Sequence, residues 1–75
     1  LITKIQVMKV TVNKTEIEIF QGATVGDAIR AYYSFHGQRV PSPLPEAEDA
    51  YGNRVAHDGA LTEGSRLTVN VSFPD

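Results

Sequence analysis

From Val10 to Ile19, apolar and polar residues alternate on both sides of Asn13-Lys14, a pair tolerant of turn geometry. The pattern predicts a β-hairpin. With Asn13 and Lys14 as the two loop residues, Val12 faces Thr15, Val10 faces Ile17 and Met8 faces Ile19, so one face collects Met8, Val10, Val12, Ile17 and Ile19. Ile5 and Val7 have the opposite parity, which implies either a bulge or a differently oriented N-terminal extension. Thr24, followed three residues later by Asp27, then marks a helix start at Val25. Val25, Ala28, Ile29, Tyr32 and either Phe35 or His36 fall on one helical face, and Gly37 predicts a stop near His36.

Prolines at 41, 43 and 45 remove amide donors and favour extended backbone, so residues 38–49 are expected to form a stiff surface loop. Beyond it, Ala50-Tyr51 and Arg54-Val55 flank Gly52-Asn53, a Gly-first pair suited to a tight hairpin turn. Asp58-Gly59 and Glu63-Gly64 mark two further turns. Leu67, Val69, Val71 and Phe73 alternate with Arg66, Thr68, Asn70 and Ser72, which predicts a final half-buried strand. The order ββαββ is that of an α+β fold with one helix across one mixed sheet of four to five strands. The helix and loop supply the crossover that lets the first and last strands pair in parallel.

This order gives the local motifs a context. Gly22-Ala23-Thr24-Val25-Gly26-Asp27-Ala28 resembles the G-x-T-V-x-D-hydrophobic segment that opens the helix of TGS domains and of the sulfur carriers of thiamin and molybdopterin synthesis. Tyr51-Gly52-Asn53-Arg54-Val55, Leu61, Glu63-Gly64-Ser65 and Leu67-Thr68-Val69 are similar to the downstream pattern of those families, with Gly64-Ser65 where Gly-Asp is usual. The resemblance runs from Lys9 to Phe73 apart from the proline loop, and it implies a ubiquitin-like β-grasp fold. It also implies a flexible Gly-Gly tail for carrier chemistry, whereas this sequence ends Ser72-Phe73-Pro74-Asp75. Carrier chemistry is therefore not expected of the chain as it stands.

Composition narrows the function classes. Seventy-five residues suit one domain, here 1–75, and leave no room for a second core. With no cysteine, neither a disulfide nor a thiolate metal site is available. Seven Lys and Arg against nine Asp and Glu leave a net charge of −2 without a basic cluster, which argues against autonomous nucleic-acid binding. No apolar run approaches a membrane span and no signal-peptide pattern opens the chain, so a soluble cytoplasmic domain is expected. The start at Leu1 rather than Met suggests a piece of a longer protein.

Candidate chemistry is sparse. His36 and His57 lie near Glu46, Glu48, Asp49 and Asp58 in sequence, but at no metal-ligand spacing, and neither metal nor cofactor is expected. Gly22 and Gly26 bracket a helix start that could hold an anion, against repulsion from Asp27. No nucleophile elbow, zinc-protease motif or phosphate loop is present, so no enzyme is expected. Tyr33, about 100° round the helix from Tyr32, has two placements: exposed beside Arg30 and Arg39 as an interface anchor, or under the proline loop. Leu44, within Pro41-Ser42-Pro43-Leu44-Pro45, completes the candidate protein-binding set of Arg30, Tyr33, Arg39 and Leu44; alternate prolines give no P-x-x-P ligand. The leading expectation is a non-catalytic protein-interaction module that docks on a protein partner through its sheet face or an exposed strand edge, as the resemblance implies. The alternatives are a TGS-like regulatory domain of a larger enzyme or translation factor, a sulfur-carrier-like protein with an altered tail, and an accessory subunit of a multicomponent enzyme.

Overall fold

The computed structural model describes residues 6–71. Strands β1 (Val7–Val12) and β2 (Thr15–Phe20) form the expected hairpin, with Val12 opposite Thr15, Val10 opposite Ile17 and Met8 opposite Ile19. Asn13 and Lys14 both take left-handed backbone, φ 49° and 70°, the geometry whose twist matches the flanking strands. Met8, Val10, Val12, Ile17 and Ile19 are all buried. Val7 pairs in register with Phe20, so β1 is regular from Val7 onward and simply turns Val7 to the opposite face; Ile5 lies outside the described residues.

Helix α1 (Val25–Phe35) starts where Thr24 caps it. Both arms of the capping box form: the Asp27 amide donates to Thr24 Oγ1 at 3.3 Å, and the Thr24 amide donates to Asp27 Oδ2 at 3.0 Å. Val25, Ala28, Ile29 and Tyr32 face the sheet as expected, but the stripe ends on Tyr33 and not on Phe35 or His36, both of which are exposed. Tyr33 lies four residues after Ile29 and eight after Val25, so a stripe more than 100° wide includes it. After Gly37, at φ 67°, the chain turns back, and the Gln38 amide donates to the Tyr33 carbonyl at 2.9 Å.

The segment after the helix departs most from expectation. Residues 38–49 are not loop throughout, because Ala47–Glu48 is a strand, β3, and Ala47 is fully buried. Leu44 and Val40 also pack against the core as half-buried residues. β3 pairs antiparallel with β4 (Arg54–Val55), so the turn spans residues 49–53 and Ala50-Tyr51 belong to it, not to a strand. Asp49 organises this turn: its Oδ1 accepts from the amides of Tyr51 and Asn53, each at 2.9 Å. A two-residue strand has too short a period to show in the sequence pattern.

Strand β5 (Arg66–Val69) runs parallel to β1, with Val12 opposite Leu67, and antiparallel to β3, with Ala47 opposite Val69. It is shorter than the alternation suggested; Val71 packs half-buried against the core and Phe73 lies outside the described residues. The sheet order is β2-β1-β5-β3-β4, an α+β arrangement of one helix on a mixed five-stranded sheet with one cluster of buried apolar side chains between them. Past Val12, where the ladder to β5 would end, the Asn13 side chain continues it. Its Nδ2 donates to the Val69 carbonyl and its Oδ1 accepts from the Val69 amide, both at 2.8 Å. Among the described residues no helix is long and apolar enough to cross a membrane.

Candidate interaction surface

Strand alternation sends every second residue away from α1. Val7, Lys9 and Thr11 of β1, Glu16, Glu18 and Phe20 of β2, Arg66 and Thr68 of β5, Glu48 of β3 and Arg54 of β4 share the outer face. Helix α1 packs on the other side, and among the described residues no element covers this face. Most of its residues are charged or polar, but Val7 and Phe20 are 44% and 52% exposed and stand directly opposite one another. An apolar cross-strand pair in water at one corner of a charged face is the feature of the sheet that burial in this chain leaves unexplained. The ion pairs of the sheet are loose and solvated, with Lys9 Nζ to Glu16 at 3.9 Å on the hairpin and Arg54 Nε to Glu46 at 3.7 Å at the opposite edge, and such pairs contribute little to stability.

At the far end, the 49–53 turn places Tyr51 88% exposed beside a shallow depression of about 430 Å³. Val25, Val55, Leu61 and Leu67 give its walls apolar character, and Arg66 lies at its edge.

The candidate residues of the helix and proline segment separate. Arg30 and Leu44 come together over Gly26, where an added Cβ would stand 3.4 Å from Arg30 Nη2 and 3.4 Å from Leu44 Cδ1, and 3.3 Å from the His57 carbonyl. His57 Nε2 lies 2.8 Å from the Pro45 carbonyl oxygen and ties the segment to the turn after β4. Tyr33 does not join them. It is only 7% exposed, so its expected role as a solvent-facing anchor is corrected: it is a packing residue, its ring edge-on to Tyr32. Arg39 is exposed in the connection after the helix.

Amides at the helix start are already engaged. Val25 donates to the Gly59 carbonyl at 2.9 Å, Gly26 to the His57 carbonyl at 2.8 Å and Asp27 to Thr24 Oγ1, which uses the donors an anion would need. Among the described residues no three of His, Asp and Glu gather closely enough to hold a metal ion.

Two carboxylates have lowered pKa values. The Thr24 amide, then the Arg30 guanidinium with Nη2 2.8 Å from Oδ1, hold Asp27 below its ordinary 3.8. The amides of Asn53 and Tyr51 do the same for Asp49. A depressed carboxylate contributes stability that is fully present above its unfolded pKa and is lost as pH falls through the lower folded value. Denaturant midpoints measured between about pH 5 and pH 1 are therefore expected to fall more steeply for the parent than for Asp27→Asn. Parallel curves would show that Asp27 contributes nothing to the acid limb.

The sequence leads to an expected docking sheet face or strand edge, but the residues it singles out lie on the helix and proline segment and none on the outer face. Its one signal there was the parity inversion at Val7, which puts an apolar residue on the polar side of the hairpin. Comparison of the chain with protein-family models, with curated proteins and with solved structures returns no match in any of the three.

Proposed function

We propose that this chain is a non-catalytic protein-interaction module of the ubiquitin-like β-grasp type, which docks on a protein partner through the outer face of its sheet. The fold assignment draws support from the ββαβββ order, from β1 and β5 pairing in parallel at the sheet centre, and from the helix lying across one side of the sheet. The observation that carries the functional reading is the Val7–Phe20 pair, exposed on an uncovered face and framed by charges. Interfaces commonly take this form, with an apolar or aromatic centre that anchors and a charged rim that orients.

A photo-cross-linking residue placed at Glu18, on that face, tests the reading against the same residue at exposed Ser34 on the helix. The expected result is a discrete adduct from position 18 that excess unmodified domain suppresses and the Val7→Asp/Phe20→Asp double variant does not. Adducts from position 34 alone, or equal competition by both domains, would overturn the assignment of the face.

A further inference from the structure

Among the described residues, strand β2 is a sheet edge with one neighbour, β1. The Val12–Thr15 pair closing the two-residue turn is a hydrogen-bonded pair, and antiparallel alternation then directs the backbone groups of Thr15, Ile17 and Ile19 toward β1. The Gln21 amide keeps this phase, donating to the Gln6 carbonyl at 3.1 Å. Glu16 and Glu18 therefore turn both N–H and C=O outward. Phe20 turns its N–H outward too, while its carbonyl accepts from Ala23 at 3.2 Å. The same three residues carry side chains on the uncovered face, because Ile17 and Ile19 point under the helix. Open backbone donors and acceptors thus coincide, residue by residue, with two carboxylates and an exposed aromatic ring.

Exposed edges are usually blunted by charges, proline or a bulge, and β2, Thr-Glu-Ile-Glu-Ile-Phe, has only charges, both of them negative. Its charges do select a partner. A second copy added antiparallel through the same edge, in any register centred between Glu16 and Glu18, would set a glutamate against a glutamate of its twin, and like charges directly opposite are destabilising. A strand with lysine or arginine at two alternate positions meets both carboxylates instead.

We infer that the β2 edge binds an extended basic segment of another protein by strand addition. That segment runs antiparallel and carries an apolar residue opposite Phe20, then basic residues opposite Glu18 and Glu16, in the order apolar-x-basic-x-basic. Main-chain hydrogen bonds to Glu16 and Glu18 give affinity, and the alternate side chains give register and choice of partner. The inference rests on the interaction-module reading and names the partner's chemistry.

The probe is a capped synthetic peptide with Phe, Lys and Lys at alternate positions on threonine spacers, titrated into the isotopically labelled domain by NMR. Amide shifts are expected to concentrate on residues 16–20. Affinity is expected to drop at least tenfold with glutamates in place of the lysines, with N-methyl groups on the peptide amides that face the edge, or with the Glu16→Gln/Glu18→Gln domain, whose changes lie at exposed positions. Undiminished binding of the N-methylated peptide would overturn strand addition, and undiminished binding of the glutamate peptide would overturn the charge assignment. No binding of the basic peptide would overturn the inference as a whole. If position 18 nevertheless gives its competed cross-link, the module reading stands and only the partner's chemistry falls; if that cross-link is absent as well, both fall.

Discussion

Replacing Ile29 by alanine is expected to cost about 2–5 kcal/mol, the range for truncating a buried isoleucine. Ile29 is fully buried at the middle of the helix stripe, and α1 lies across β1 and β2, so nothing nearby is free to fill the space. A domain of this size has only about 4–11 kcal/mol of stability in all, and it has no disulfide to limit the loss. The variant is therefore expected to be largely unfolded or to melt far below the parent in urea titration. Phe35→Ala is the control: it removes more carbon from the same helix, but Phe35 is 64% exposed, and the change should stay within about 0.5 kcal/mol. A midpoint unmoved by Ile29→Ala, or moved equally by both, would mean that the helix buries a different face.

The two variants also separate what was legible in the sequence from what was not. Hairpin register and helix start follow from local chemistry: a turn pair that accepts left-handed backbone, and a hydroxyl three residues before a carboxylate. Such signals act within a few residues and survive in the folded chain. The end of the helix stripe was less legible, since Tyr33, Phe35 and His36 are all compatible with helical spacing. Tyr33 is the one buried, lying four residues after Ile29 on a stripe more than 100° wide, while Phe35 and His36 stay exposed.

β3 was illegible for a related reason. Ala47 is too small to register as a core residue and follows a run of prolines, yet pairing with Val55 on one side and Val69 on the other buries it completely. Only non-local neighbours make a two-residue strand. The candidate surface shows the same division. Arg30 and Leu44, chemically suited to an interface, both stand beside Gly26, whereas of the two placements open to Tyr33 the solvent-facing one is ruled out by its burial. That a sheet face or strand edge docks the partner is an expectation of the sequence, but alternating Glu and Ile describe any half-buried strand and do not say which residues compose that surface. Edge position, which turns that ordinary pattern into open hydrogen-bonding capacity, is a property of the sheet order.

Asn13 illustrates how much one turn residue can hold. Sequence chemistry explains its place in the hairpin through tolerance of φ 49°, but its side chain also exchanges two hydrogen bonds with Val69, 56 positions away. These two contributions respond differently to substitution. Asn13→Gly keeps, and even eases, the left-handed backbone while removing the clamp; losing two partly buried hydrogen bonds is expected to cost about 1–3 kcal/mol. Asn13→Ala removes the clamp and also forces a Cβ into the left-handed region, adding about 1–2 kcal/mol. The expected order of urea midpoints is therefore parent, then Gly, then Ala. Amide exchange should speed up locally in both variants, more at Val69 than at Ile17, because β5 loses its tie to the turn while β1 and β2 keep theirs. A glycine variant as stable as the parent, with Val69 equally protected, would reduce Asn13 to a turn former and leave the β1–β5 ladder to stand without it.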